Sequence, residues 1–228
     1  MLLTSSSLRA DGLGKLIFED NFDRSESQES KEEIGNGWSS NSQSRAGGNK
    51  QADLHEGTLR ITMHPSADHA VSLKHDAEFR NGSVKLRFML EHSQDVLGLD
   101  FADLQLKTVH AGHLFKVSVG TKKIDIIDMK TGVMDLKIRA QRQAQQVSAE
   151  LQKLLDTKKK SFPVNLETGR WYNLNINIQG DTLQVTIDEK QQGEFSSAGI
   201  GHPTKRALRI AVPRQAVIDD LKIYSTAN

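Results

Sequence analysis

The chain has 228 residues, with 30 basic and 29 acidic side chains and a formal net charge of +1. This balance argues against an electrostatic nucleic-acid binder, which carries a clustered basic excess, and no window has the roughly 18 continuous apolar residues of a membrane span. The chain has no cysteine, which excludes disulfides and thiolate chemistry. Its length suffices for one sizeable hydrophobic core, and β-sandwiches of this size commonly form one domain.

The N-terminal segment is too short and too weakly apolar for a complete secretory signal peptide. The run from Met1 to Asp11 resembles the end of a secretory signal peptide, with small residues leading up to Ala10. We therefore predict a disordered tail or a signal-peptide remnant over residues 1–14, followed by a single β-sandwich domain over residues 15–226. If the segment is a remnant, the protein is secreted or periplasmic.

Alternating apolar and polar residues predict strands along most of the chain. Residues 23–50 are polar, with Ile34 and Trp38 as the apolar anchors, and this composition predicts a long surface loop. The strands predicted outside the C-terminal hairpin described next are residues 16–22, 58–63, 70–74, 82–90, 97–106, 113–119, 123–129, 208–212 and 217–224.

The clearest alternation lies in residues 171–188. Apolar residues occupy every second position on both sides of Gly180-Asp181, so the segment predicts a hairpin with one apolar face and one wet face. A tryptophan and a row of amides are what a sugar-binding surface needs, although an amide row is also typical of any polar sheet face. The wet face of the first strand carries Trp171, Asn173, Asn175 and Asn177.

Residues 136–160 change to helical spacing. Apolar residues recur there at intervals of three and four, without glycine or proline. This predicts one amphipathic helix whose apolar stripe packs on a sheet, or else mediates self-association. The stripe consists of Ala140, Ala144, Val147, Leu151 and Leu154.

The hairpin and the two terminal strands resemble those of concanavalin A-like lectin/glucanase jelly rolls. Residues 18–23 and 218–224 match the first and last strands of that superfamily, while Glu189 stands where its hairpin turn usually has glycine. The chain is most similar to LamG-like and DUF1080-type (3-keto-disaccharide hydrolase-like) domains of exported bacterial proteins. The hairpin motifs are Gly169-Arg170-Trp171-Tyr172, Gly180-Asp181-Thr182-Leu183 and Ile187-Asp188-Glu189-Lys190.

The resemblance implies an all-β fold: a two-sheet antiparallel jelly-roll sandwich of the concanavalin A-like type, with one inserted amphipathic helix near residues 136–160. It specifies the activity poorly, because this fold hosts lectins, glycosidases, lyases and adhesion modules. Retaining glucanases of family 16 carry paired carboxylates on one strand face. This chain lacks their Glu-x-Asp-x-x-Glu motif, and Asp125 and Asp128 are three apart, so they face opposite sides of a strand.

Three histidines and a lysine are the candidate acid–base groups in place of the missing pair of carboxylates. His110 and His113 lie at the start of a predicted strand, and His202 and Lys205 lie in a loop that resembles the one before the penultimate strand of the family. If the chain is an enzyme, these four residues are the catalytic candidates, acting on a proton next to a carbonyl. A metal bound by His110 and His113 would need at least a third protein ligand, and the spacing of residues in the sequence shows none.

Structural calcium is the metal hypothesis that the resemblance implies. Asp219 and Asp20 are in phase with inward-facing apolar residues of the last and first strands. A carboxylate on an apolar face is costly unless it is paired or coordinated, and Ca²⁺ accepts carboxylate and backbone oxygens. The alternative is that Asp219 caps a loop amide at the edge of the strand.

These observations favour a carbohydrate-interacting module of an exported bacterial protein, without catalysis, whose partner is a glycan or oligosaccharide. Two alternatives stay open. One is a glycan-active enzyme, either a glycoside or 3-keto-glycoside hydrolase or a lyase. The other is a structural or protein-interaction domain that uses the helix.

Overall fold

The computed structural model describes residues 14–226, so the prediction for residues 1–14 falls outside it apart from Gly14. Within this range, α-helices form at α1 (Ser42–Arg45), α2 (Leu136–Gln143) and α3 (Ala149–Asp156), with a 3₁₀ turn at His110–Gly112. The strands are β1 (Lys15–Asp20), β2 (Ser39–Ser40), β3 (Ala52–His55), β4 (Thr58–Thr62), β5 (Val71–Phe79), β6 (Asn81–Met89), β7 (Val96–Ala102), β8 (His113–Gly120), β9 (Lys123–Asp128), β10 (Lys159–Pro163), β11 (Trp171–Gln179), β12 (Thr182–Ile187), β13 (Lys190–Ser196), β14 (Lys205–Val212) and β15 (Gln215–Thr226).

The strands pair into two antiparallel sheets. Sheet A has the order β13-β12-β11-β6-β15-β4-β3, with β1 pairing on β15, and sheet B has the order β10-β9-β8-β7-β14-β5-β2. The inner faces of both sheets contribute to one hydrophobic cluster. The predicted all-β, two-sheet jelly-roll sandwich is confirmed.

The alternation in the sequence places the core correctly. Along β11, Leu174 and Ile176 are buried in the cluster while Asn173 and Asn177 are exposed. The segment 23–50, predicted as a surface loop, also contains β2 and α1, and the buried side chains of Ile34 and Trp38 anchor it as predicted.

Some short strands have no clear sequence signal. The strand β13 is polar along most of its length, and β10 follows the helical segment directly. Tertiary contact fixes both, because Phe162 of β10 packs so closely on Gly193 of β13 that a Cβ built there would lie 2.5 Å from the ring. Packing between the sheet edges, rather than local alternation, therefore defines these strands.

The segment predicted as one helix over residues 136–160 instead forms two helices of 8 residues each, and its last two residues, Lys159 and Lys160, belong to strand β10. The side chain of Asp135 caps α2, that of Ser148 caps α3, and Gln145 between them has φ 57°. A helix cannot continue through a left-handed residue, so the hydrophobic stripe is broken in the middle.

The prediction that this stripe packs on a sheet is wrong. Four of its five members are exposed, with Val147 39% and Leu154 43% accessible. The helices instead stand over the outer face of sheet B, where Leu155 and Ile127 line a cavity of about 530 Å³. The hairpin of α2 and α3 contacts the sheet through residues outside the predicted stripe.

Candidate functional site

The outer face of sheet A carries the predicted sugar-binding residues. A groove of about 340 Å³ is lined by side chains of β6, β11, β12 and β15 and by the turn after β12. Asn173 and Asn175 lie in this groove, whereas Asn177, further along the same strand, lies outside it. The groove is lined by Lys85, Leu86, Arg87, Asn173, Leu174, Asn175, Thr186, Glu189, Asp220 and Lys222.

Trp171 lies at the entrance of the same strand and is half-buried. The guanidinium carbon of Arg87 lies 4.8 Å from the centre of its ring, which is cation–π distance. Arg87 also contacts the carboxylate of Asp219 at 3.1 Å. The indole is thus held in a fixed orientation beside the groove, on sheet A and away from the two helices.

The amides of β11 differ in their environments. The main-chain and side-chain nitrogens of Asn173 donate to Asp188. The side-chain oxygen of Asn175 is buried and has no hydrogen-bond partner in the described chain. Thr186 on β12 is directly opposite Asn175, so an amide and a hydroxyl adjoin in the groove.

The turn between β12 and β13 contains the departure noted in the sequence. Asp188 and Glu189 have φ 47° and 65°, so both are left-handed. Two left-handed central residues are typical of a two-residue type I′ hairpin turn, which prefers Asn-Gly or Asp-Gly. Glu189 therefore occupies a position that favours glycine, and its side chain lines the groove.

The two carboxylates of the calcium hypothesis have protein partners. Asp20 is buried, accepts two bonds from the guanidinium of Arg24 at 2.6 and 3.0 Å, and accepts from the indole nitrogen of Trp38 at 2.9 Å. Burial alone raises the pKa of Asp20, but these donors together hold it below its ordinary value. The arginine compensates the charge that the sequence left unexplained.

Asp219 does not keep the inward phase predicted for it. A bulge after Asp219, where Asp220 has φ 49°, adds one residue to β15, so Asp219 faces Arg87 on the outer surface. Burial and the nearby carboxylates of Asp220 and Asp20 raise the pKa of Asp219. Among residues 14–226, no three His, Cys, Asp or Glu side chains converge on one point. Calcium binding at Asp219 and Asp20 stays a prediction.

The outer face of sheet B contains a second polar cluster, around Asp100. This side chain is 6% exposed, and its Oδ2 lies 2.6 Å from Nδ1 of His113. Arg209 of β14 lies 3.3 Å from the same nitrogen and donates to the carbonyl of Ala111. The ring of His110 lies 6.5 Å from that of His113, so the structure brings the two predicted histidines together.

His110 is exposed and belongs to the 3₁₀ turn before β8. Desolvation, together with the positive charge of Arg139 on α2, lowers the pKa of His110. Its ring therefore favours the neutral form, which can accept a proton.

The third predicted histidine belongs to a separate cluster around Asp103. Nε2 of His202 lies 3.0 Å from Oδ2 of Asp103, and Arg206 faces the other oxygen at 3.2 Å. Burial raises the pKa of Asp103, but the bond from His202 and the charge of Arg206 hold it below its ordinary value. His202 is itself buried.

Lys205 lies beneath this cluster and is fully buried. Its amine donates to the carbonyls of Arg80 and His202 at 2.6 and 3.0 Å. Burial, together with the charges of Arg80 and Lys130, lowers the pKa of Lys205 to about 8. A substrate in solvent does not reach this amine in the structure.

Asp125 and Asp128, which the sequence analysis compared with the paired carboxylates of glucanases, face opposite sides of β9, as predicted. Asp125 lies on the outer face of β9 with Lys123 and Lys159 as partners. Asp128 is completely buried rather than solvated, and accepts from Thr131, Ser197 and Gly199. It ties the end of β9 to the loop before β14.

Sequence reasoning missed Asp100 and Arg209. Both alternate with core residues of their strands, so their outward direction was readable from the pattern. Their proximity was not, because β7 and β14 are far apart in the chain and become neighbours only in the sheet.

Comparisons with known proteins identify the fold. No protein-family profile matches the chain, and no curated protein matches its sequence. Solved structures do match. The laminarinase from Rhodothermus marinus has a TM-score of 0.60 at 12% identity, covering 94% of this chain and 98% of that one. LamAcat from Zobellia galactanivorans has a TM-score of 0.59 at 11% identity, covering 94% and 99%.

A carbohydrate-binding module is also similar. CBM66 from Bacillus subtilis has a TM-score of 0.55 at 9% identity, covering 83% of this chain and 96% of that one. Identities this low show the fold alone, a concanavalin A-like jelly roll. The resemblance seen in the sequence is confirmed at that level, and its LamG-like and DUF1080-type detail stays a prediction. Within residues 14–226, no helix is long and apolar enough to cross a membrane.

Proposed function

We propose that this chain binds a carbohydrate through the groove on the outer face of sheet A. The observation that carries the proposal is that the amides of Asn173 and Asn175 and the hydroxyl of Thr186 line one groove, with the indole of Trp171 beside it on the same strand. Sugars need an aromatic surface for their C–H faces and paired donors and acceptors for their hydroxyls. The unpartnered oxygen of Asn175 is an acceptor for such a hydroxyl.

The similar structures support the proposal through what they are named for. They comprise a carbohydrate-binding module and laminarinases, and the same fold serves both binding and hydrolysis. The LamG-like or DUF1080-type relationship and export from a bacterial cell are part of this proposal. N-terminal sequencing of the mature protein from its natural source tests the export.

The test is a thermal-shift panel of neutral glycans, including laminarin, followed by calorimetric titration of each hit. Loss of the indole in Trp171→Ala should weaken binding by about 2-fold to 10-fold, because stacking on an aromatic ring is worth roughly 0.5–1.5 kcal/mol. Asn175→Ala should weaken binding as well. Asn177→Ala is the matched control, since this amide lies on the same strand outside the groove. Binding that all three variants retain, or no binding by any glycan, refutes the proposal.

A second candidate function is acid–base catalysis on a glycan at the outer face of sheet B. The favouring observation is the 2.6 Å contact between Nδ1 of His113 and the buried carboxylate of Asp100. A carboxylate there orients the ring and leaves Nε2 to exchange a proton with a substrate. Chromatography of the incubated glycans detects released products, and His113→Gln should abolish turnover while leaving Trp171-dependent binding intact. Uncut glycans exclude this function.

A further inference from the structure

A row of short side chains crosses the outer face of sheet B. Ser118 of β8 is opposite Gly98 of β7, Gly98 is opposite Ala211 of β14, and Ala211 is opposite Ser72 of β5. Each lies between core residues of its own strand, so all four point away from the core. The row is a shallow trough across four strands, with two hydroxyls on its floor.

A row of charged side chains borders this trough. Two residues further along the same strands, Lys116 is opposite Asp100, Asp100 is opposite Arg209, and Arg209 is opposite Lys74. Lys74 pairs with Asp76 at 2.8 Å. The trough therefore has three cations and one carboxylate along one side.

The central charges are incompletely matched by protein partners. Within residues 14–226, neither Lys116 nor Arg209 has a carboxylate oxygen within 4.0 Å, although both flank Asp100 directly. Oδ2 of Asp100 faces His113, and Oδ1 is buried with no hydrogen-bond partner in the part of the chain that the structure describes. A 6% exposed carboxylate with one unused oxygen is costly unless a donor reaches it.

The side chain of Lys116 lies over the floor of the trough. A Cβ built on Gly98 would lie 2.6 Å from Cε of Lys116 and 2.8 Å from the carbonyl of Ala211. Glycine is thus required for the lysine to lie flat across the strand. Because its stem is flexible, the amine can rise to meet a ligand without movement of the backbone.

The helical hairpin stands beside one end of the charged row, whereas the trough itself ends on β9 at Asp125, which is opposite Ser118. Ile127 of β9 is opposite Lys116, and it shares the cavity beneath the hairpin with Arg142 of α2 and Gln152 of α3. Arg142 on α2 is therefore a fourth cationic side chain near this end of the charged row, and the sheet does not provide it.

We propose that this trough is a second ligand site, which binds the carboxylate-bearing ring of a uronic acid. The carboxylate of the ligand lies between Lys116 and Arg209, whose donors suit a planar anion. A ring hydroxyl donates to Oδ1 of Asp100, and the hydroxyls of Ser72 and Ser118 face the remaining ring oxygens. A simple anion without hydroxyls would offer no donor to Oδ1 of Asp100, and a neutral sugar would offer no carboxylate to Lys116 and Arg209.

The experiment titrates the whole chain calorimetrically at low salt with D-glucuronate, a trigalacturonate and D-glucose. Lys116→Met and Arg209→Met should each weaken uronate binding about 10-fold, the loss of one charge-assisted contact of roughly 1.5 kcal/mol. Lys190→Met is the matched control, because Lys190 is an exposed cation at the start of β13, on sheet A rather than sheet B. Glucose should not compete.

Comparison of the two uronates distinguishes a polymer from a free monosaccharide as the ligand. Tight binding of trigalacturonate with weak binding of the monosaccharide assigns the trough to a polymer, and equal binding assigns it to a free uronate. If Arg209→Met unfolds the chain by losing its bond to Ala111, the Lys116→Met variant decides, because methionine keeps most of the half-buried stem of Lys116. No binding of either uronate, or binding that Lys116→Met leaves unchanged, overturns the inference. Trp171→Ala should not alter uronate binding, so failure here is distinct from failure of the proposed groove on sheet A.

Discussion

The buried amine of Lys205 makes the pH dependence of stability predictable. Its pKa is lowered from 10.5 to about 8 by burial and by the charges of Arg80 and Lys130. A lysine whose folded pKa lies below its unfolded pKa binds fewer protons in the folded chain between those values. The free energy of unfolding therefore rises with pH from about 8 to about 10.5.

The magnitude follows from the same pKa difference. Each pKa unit corresponds to about 1.4 kcal/mol, so the lysine costs about 3 kcal/mol below pH 8, and this cost disappears by pH 10.5. In Lys205→Met the pH-dependent cost is absent. The carbonyls of Arg80 and His202 lose their donor at every pH, so that loss adds a constant term.

The assay is urea unfolding of both proteins at several pH values from 7 to 10.5. The free energy of unfolding of the parent, minus that of Lys205→Met, should increase by about 3 kcal/mol across this range. Lys190→Met, at an exposed position, controls for the loss of one positive charge and should give a constant difference. A constant difference for Lys205→Met as well refutes the assignment of this lysine as a desolvated amine.

Three further predictions concern stability. Gly199→Ala should lower the free energy of unfolding in urea by more than about 3 kcal/mol, because the new Cβ would lie 1.8 Å from Oδ1 of buried Asp128. Gly169→Ala is the control: this glycine has φ 72° and open space around it, so the loss should be only about 1 kcal/mol. Equal losses in the two variants contradict the clash. Glu189→Gly should stabilise the chain by about 1 kcal/mol, by relieving a left-handed φ of 65°, and an unchanged midpoint argues against strain in that turn. If calcium binds at Asp219 and Asp20, EDTA lowers the melting temperature and added Ca²⁺ restores it. An unchanged melting temperature refutes calcium binding and leaves Arg87 and Arg24 to compensate the charges of these two carboxylates.

The architecture was predictable because it rests on alternation within each strand. Tyr172 and Leu174 are buried and Asn173 is exposed, as their spacing requires. Predictions that depended on phase across an irregularity failed. The bulge after Asp219 turns that carboxylate outward, and the left-handed Gln145 divides the helix. Neither residue carries a local signal strong enough to show the break.

The sequence by itself determined the two-sheet sandwich and the direction in which most strand residues point, because side-chain direction in a strand depends only on position along it. Only the tertiary structure decided which outward residues meet. Asp100 and Arg209 are neighbours because β7 pairs with β14, and Arg87 covers Trp171 because β6 pairs with β11. Strand order is set by the packing of the whole core, so the groupings of side chains on both outer faces depend on contacts that no local pattern encodes.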